Sequence, residues 1–144
     1  MNMKKCLFIF CLVPILGNAQ LQHLDSVEIK TIGAAWGGLE KFALLQEKQV
    51  DGQAFYYLTY WNFRDKRDVK LIKFMGDQAV LDEVYKLMSD AIAKPTGGRT
   101  FFKLGDQVLT IEVKKAWLRT IIYISTDDGS FQLNQRQITK LFGK

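Results

Sequence analysis

A chain of 144 residues has the length of a single domain, and its net charge of +5 is a small cationic excess. The basic residues are scattered along the sequence instead of forming one stripe, so composition argues against a nucleic-acid-binding protein.

The first twenty residues, MNMKKCLFIFCLVPILGNAQ, have the pattern of a secretory signal peptide. A charged start precedes an apolar segment over residues 6–16, which is about half the length needed to cross a bilayer. Small residues lead to the expected cut between Ala19 and Gln20. We therefore expect residues 1–19 to be a signal peptide. The mature chain would be exported to the periplasm or beyond, without a membrane span.

Cleavage at this position would remove 19 of the 144 residues, including both cysteines, Cys6 and Cys11. The mature chain would then hold no disulfide, cysteine nucleophile or thiolate metal site. Loss of two lysines would leave 18 basic residues against 15 acidic ones, a net charge of +3. The one histidine, His23, would lie near the new N-terminus and is a poor candidate for a catalytic base or metal ligand. We expect no catalytic residue, metal site or cofactor.

The remaining chain, residues 20–144, is predicted to be a single α+β domain. Its expected parts are an antiparallel sheet of about seven strands, one long amphipathic helix at about 77–93 and a short C-terminal helix at about 134–142. In the long helix apolar residues recur at helical spacing, and Asp77 is a suitable N-cap. The spacing of Asn134 and Gln137 predicts the start of the short helix.

Two segments are expected to interrupt the strands. The glycines of GAAWGG, residues 33–38, should bend or break the first strand. The charged segment RDKRD, residues 64–68, is interpreted as a solvated loop. In the second half, by contrast, apolar and polar residues alternate cleanly over QVLTIEV, which predicts a sheet with one face in water.

Asp51–Gly52 predicts a type I′ hairpin. If Val50 lies opposite Gln53, the register assigns each side chain to one face of the pair. One face carries Phe42, Leu44, Tyr57, Trp61 and Phe63, and the other carries Ala43, Leu45, Tyr56, Leu58 and Tyr60. Because neither face is polar, we expect this strand pair to be covered on both sides for at least part of its length.

The same aromatic segment, AFYYLTYWNF, offers the candidate binding residues. We expect Trp61 to be more buried than Tyr60, because Trp61 would lie opposite Phe42. If the segment binds a ligand, Tyr56 and Tyr60 are the residues we favour, since phenols tolerate water at the rim of a sheet.

The other segments that could bind an ion or act in catalysis match known motifs poorly. KPTGGRT has two glycine amides beside Lys94 and Arg99 and is interpreted as a connection more than an anion cradle. STDDGS lacks the spacing of a calcium loop and is interpreted as a turn. The acids that could serve an enzyme are Glu40, Glu47, Glu112 and the pair Asp82 and Glu83.

These observations favour a non-catalytic binding module that recognises a protein, a peptide or a component of the cell envelope. The alternative is a small hydrolase that cleaves cell-wall glycan through two carboxylates. Such an enzyme would need two carboxyl groups roughly 5 to 10 Å apart across an open cleft.

Overall fold

The Asp51–Gly52 turn closes a long antiparallel hairpin, as the sequence predicts. Both residues have positive φ, 50° for Asp51 and 77° for Gly52, as a type I′ turn requires. The strands pair from Val50 opposite Gln53 onward, so the predicted register is confirmed along the paired segment.

The computed structural model describes residues 27–95 and 97–144. In these residues the order of four strands followed by a helix occurs twice. The elements are β1 (Ile29–Gly37), β2 (Glu40–Val50), β3 (Gln53–Asn62), β4 (Asp65–Met75), α1 (Gln78–Ala93), β5 (Arg99–Leu104), β6 (Gln107–Ala116), β7 (Arg119–Ser125), β8 (Ser130–Asn134) and α2 (Gln135–Leu141).

Strands β1 to β4 form one antiparallel sheet, sheet A, and strands β5 to β8 form a second, sheet B, each in sequence order. The sequence predicted a mixed α and β fold with a single sheet of about seven strands, whereas the structure has two sheets of four. The physical reason is α1, which separates β4 from β5. Directly connected strands pair with one another up to β4, and the pairing starts again at β5.

Both predicted helices are present, and side chains cap their first turns. Asp77 Oδ1 accepts a hydrogen bond from the Val80 backbone N–H at 3.1 Å, which satisfies a free donor at the start of α1. At α2, Asn134 and Gln137 each accept from the backbone N–H of the other at 2.9 Å, which completes a capping box.

The helices join the two halves of the chain. Helix α1 follows sheet A but contacts β6 and β7 of sheet B, while α2 follows sheet B and contacts β1 of sheet A. A single cluster of buried apolar side chains therefore includes residues from both sheets and both helices. Its members include Leu45 and Ile72 from sheet A, Leu109 and Ile124 from sheet B, Met88 from α1 and Leu141 from α2.

A glycine is required where α2 approaches β1. A Cβ on Gly33 would lie 2.1 Å from the Lys140 carbonyl oxygen and 2.6 Å from the carbonyl oxygen of Leu141. The pairing of β1 with β2 also shifts register between Thr31 and Gly33. The glycines therefore produce a bulge but do not end the strand, which continues to Gly37.

The charged segment 64–68, expected as a loop, is mostly strand, because β4 begins at Asp65. Asn62 orders the turn between β3 and β4. Its Nδ2 donates to Asp68 Oδ2 at 2.9 Å, and its Oδ1 accepts from the Ser130 backbone N–H at 3.3 Å. These bonds hold the turn between β3 and β4 against β8.

Sheet B has the predicted wet face. Leu109 and Ile111 of β6 are buried, whereas Thr110 and Glu112 on the opposite face are half-buried. The turn before β6 has a positive φ of 61° at Gly105, as expected for a type II′ hairpin.

In the part of the chain that the structure describes, no helix has the length and apolar character needed to cross a membrane.

Candidate functional site

The two faces of sheet A differ in how far they are covered. Tyr60 is 1% exposed, and its ring centroid lies 4.3 Å from that of Phe131 in β8. Trp61 lies on the opposite face of β3 and is half-buried. The prediction that Trp61 is more buried than Tyr60 is therefore wrong. Both faces are apolar in sequence, and only the position of sheet B decides which one becomes the core.

Tyr56 and Tyr60, the predicted binding residues, lie in the core instead of at a water-accessible rim. Tyr56 is 2% exposed, and the Tyr60 hydroxyl is 3.0 Å from Thr126 Oγ1. Burial raises the pKa of Tyr60, and burial together with the negative charge of Glu47 raises the pKa of Tyr56. The expectation that Tyr56 and Tyr60 are accessible to water is wrong. That either residue contacts a ligand stays a prediction.

A largely apolar cleft of about 310 Å³, hereafter cleft A, is lined by residues of both sheets where β3 contacts β8. Its apolar lining comes from both halves of the chain: Phe42, Trp61 and Phe63 on one side, and Ile121, Phe131 and Leu133 on the other. A concave apolar site with a few polar groups is the usual form of a ligand-binding site.

The rim of cleft A is polar. Glu40 and Lys66 face each other there, with 3.4 Å between the carboxylate oxygen and Nζ. Arg119 contributes a second cation to the lining. Gln137 Nε2 donates to the Trp36 carbonyl oxygen at 2.9 Å, which fixes the start of α2 against the end of β1.

The aromatic wall of cleft A is positioned by the turn between β3 and β4. The Phe63 backbone N–H donates to the Ser130 carbonyl oxygen at 2.7 Å. The Phe63 ring packs edge-on against Tyr123, with 5.9 Å between centroids. The sequence contained a signal for this wall, namely a second apolar face on the β2–β3 hairpin. We expected Trp61 on that face to be the more buried residue because Phe42 lies opposite it, and the Ile121 side of the cleft is too remote in sequence to be paired with this face.

A second and more polar cleft of about 550 Å³, cleft B, lies beside the β2–β3 turn and the start of α1. Tyr56 lines it together with Glu47 and Asp77. Both acids already have partners, since Glu47 Oε1 accepts from the Gln49 side chain and Asp77 caps α1.

The other candidate carboxylates are dispersed over the surface. Glu112 pairs with Arg99 at 3.4 Å on the outer face of sheet B, and Asp82 Oδ1 lies 2.7 Å from Lys144 Nζ beside α1. The acids proposed for glycan hydrolysis thus do not gather in one cleft.

Two segments that were considered for ion binding have structural explanations. Arg99 of KPTGGRT lines a third cleft of about 340 Å³ with Arg64 and Lys114, where Glu112 offsets part of the positive charge. STDDGS forms a turn as expected, because Thr126 Oγ1 accepts from the backbone N–H groups of the second aspartate and the glycine, both at 3.2 Å.

Metal-ligating side chains do not cluster within residues 27–95 and 97–144, where no three of His, Cys, Asp and Glu are placed to hold an ion. Cys6, Cys11 and His23, and the predicted signal peptide with its cleavage site, lie outside the described residues.

Neither a protein-family model, nor a curated protein, nor a solved structure matches this chain.

Proposed function

We propose that this protein is an exported, non-catalytic binding module, and that cleft A receives apolar side chains of a protein or peptide of the cell envelope. The observation that carries the proposal is the composition of cleft A, which combines an aromatic and aliphatic floor with a charged rim. Half-buried aromatic residues next to arginine are typical of the residues that contribute most to protein–protein binding.

The volume of the cleft supports a small apolar anchor. About 310 Å³ is at the low end of the range for small-molecule pockets. A site of this size accommodates one or two large side chains, which is how a partner protein engages the centre of an interface. The charged rim would then contact the polar edge of the partner and set the orientation of binding.

The arrangement of acids supports binding over hydrolysis. Of the described residues that line cleft A, Glu40 alone carries a carboxylate, and it is paired with Lys66. Glycan hydrolysis by the common mechanisms needs two carboxyl groups on either side of the bond to be cleaved. The hydrolase alternative therefore gains no support from cleft A.

The proposed export rests on the sequence of residues 1–19, in which a charged start, an apolar segment and small residues follow in the order of a signal peptide. An exported module would meet envelope proteins as its partners.

The proposal is tested by affinity capture from envelope extract with two matched variants. Phe63 lines cleft A, and Phe101 lies on the outer face of sheet B; both side chains are exposed, so serine at either position should leave the fold intact. A partner of cleft A should be captured by the wild-type protein and by Phe101→Ser, but not by Phe63→Ser. With the purified partner, Phe63→Ser should raise Kd about tenfold or more.

If Phe63→Ser captures the same proteins as Phe101→Ser and binds them with unchanged Kd, cleft A is not the binding site. Release of reducing sugar from cell-wall glycan by the purified protein would favour the hydrolase instead.

A further inference from the structure

Two hairpin turns of this protein carry large apolar side chains that are almost completely exposed to solvent. Leu39, in the turn between β1 and β2, is 96% exposed. Trp117 and Leu118 form the turn between β6 and β7 and are 99% and 87% exposed. We call these two turns the apolar tips.

The sequence of the second tip is not explained by folding, whereas the first has glycine with a positive φ of 67° at Gly38, as hairpin turns favour. Two-residue hairpin turns favour Asn, Asp and Gly, because these residues adopt the required backbone angles at low cost. The turns at Asp51–Gly52 and Gly105–Asp106 follow this rule. A Trp–Leu turn departs from it, and side chains this exposed bury almost no apolar surface in the domain. Departures of this kind are expected at functional positions.

Both apolar tips are next in sequence to residues that line cleft A. Gly37 and Glu40 flank the first tip, and Arg119 directly follows the second. All three of these residues line cleft A. The tips therefore project from the same region of the molecule.

Positive charge surrounds the tips. The second tip lies within the sequence KKAWLR, in which Lys115 and Arg119 flank it closely, while Lys114 lines a cleft together with Glu112. Lys41 lies near the first tip, with its Nζ 5.7 Å from the centroid of the Trp36 ring. The acid of this tip, Glu40, is already paired with a lysine.

We propose that the apolar tips insert into the interfacial region of an anionic lipid bilayer. Tryptophan and leucine gain apolar contacts at the boundary between headgroups and acyl chains, where the tryptophan N–H still finds polar partners. Lysine and arginine next to the inserted side chains are attracted to anionic headgroups. The tips would hold cleft A close to the membrane surface.

A bilayer fits these tips better than a second copy of the chain. A symmetric dimer through the tips would bring the same patch of each copy together, so that lysines and arginines would face one another. A bilayer, unlike a rigid protein surface, also deforms around two separate projecting turns. This proposal goes beyond the proposed function, because the tips lie outside cleft A and are tested without its ligand.

The test is sedimentation of the full chain with vesicles of phosphatidylcholine, either alone or mixed in equal parts with phosphatidylglycerol. The wild-type protein should bind the mixed vesicles more strongly, and salt should weaken the binding by screening. A Trp117→Ser, Leu118→Ser double variant should bind about tenfold more weakly or worse, because membrane affinity scales with buried apolar area. Phe101→Ser, which removes an exposed aromatic ring away from the tips, should bind as the wild type does. Residues 1–26 are the same in the wild type and in all these variants, so any vesicle binding by this segment does not change the comparison between them.

A second readout identifies the inserted residue. Lipids brominated on their acyl chains should quench the tryptophan emission of the wild-type protein much more than that of Trp117→Phe, which should still sediment with vesicles. If the double variant unfolds, as circular dichroism would show, Lys115→Glu with Arg119→Glu replaces it and should also weaken binding to the mixed vesicles.

Three results would overturn the proposal: absence of binding to the mixed vesicles, equal binding by the tip variant and the wild type, or equal quenching with and without Trp117. If the tip variants lose binding to the purified partner protein, and neither they nor the wild type bind vesicles, the tips belong to a protein interface instead.

Discussion

The Tyr60 hydroxyl lies 3.0 Å from Thr126 Oγ1 and so links the middle of sheet A to the turn between β7 and β8 of sheet B. The same tyrosine packs its ring against Phe131. One side chain thus joins the two sheets through both apolar packing and a hydrogen bond.

Replacement of this tyrosine tests which face of sheet A is the core. Tyr60→Ala should lower the free energy of unfolding by about 3 to 5 kcal/mol, as for other large buried aromatic residues. Tyr60→Phe should cost about 1 kcal/mol, because it removes only the hydrogen bond. Trp61→Ala should cost about 1 to 2 kcal/mol, since its side chain is half-buried. Urea denaturation of the three variants measures these differences, and a larger loss for Trp61→Ala than for Tyr60→Ala would contradict the assignment.

The contact between α2 and β1 depends on the absence of a side chain at Gly33. Gly33→Ala should destabilise the protein by about 1 to 3 kcal/mol, because its Cβ would overlap backbone carbonyl oxygens that cannot move freely. Gly37→Ala is the matched control in the same strand, where the nearest atom to a Cβ is 3.5 Å away on the Phe42 ring. Thermal unfolding compares the two variants. Equal melting temperatures would show that α2 does not pack this closely on β1.

The ion pair between Asp82 and Lys144 predicts a dependence of stability on pH. The hydrogen bond from Lys144 Nζ, at 2.7 Å, holds the pKa of Asp82 below its ordinary value of 3.8. A carboxylate with a lowered pKa in the folded state stabilises it above pH 3.8, and this contribution is lost as the pH falls through the folded-state pKa.

Asp82→Asn should therefore be less stable than the wild type at neutral pH, and the difference should disappear in strong acid. Urea denaturation across this pH range measures the effect, with Glu83→Gln, at the next helix position, as the control. A difference between Asp82→Asn and the wild type that is the same at all pH values would contradict the ion pair as its source.

Export predicts a specific N-terminus. Intact-mass analysis of protein collected outside the cytoplasm should give a chain that begins at Gln20, because Ala19 precedes the expected cleavage site. Recovery of exported protein with Met1 retained would contradict cleavage of a signal peptide.

Local signals in the sequence were sufficient for both helices and for the β2–β3 hairpin. The Asp51–Gly52 turn has positive φ at both positions, and Asp77 and Asn134 cap the two helices as predicted. These features depend on residues within a few positions of one another, so their energetics can be inferred from the sequence alone.

The candidate site could not be predicted in the same way. Cleft A combines residues about sixty positions apart, such as Trp61 and Ile121, and it exists because the two sheets meet at β3 and β8. The sequence showed two apolar faces on the β2–β3 hairpin but not which one sheet B would cover. The Trp117–Leu118 tip was not among the candidate sites that the sequence suggested. The cations that flank these two apolar residues were the available signal.

Hydrogen exchange in the presence of the captured partner tests the proposed role of cleft A most directly. We expect slower exchange in the backbone segments that line this cleft, residues 61–63, 119–121 and 131–137. The segments beside cleft B, residues 47–54 and 75–78, should exchange at an unchanged rate. Protection confined to the segments beside cleft B would place the ligand next to Tyr56 and contradict cleft A as the binding site.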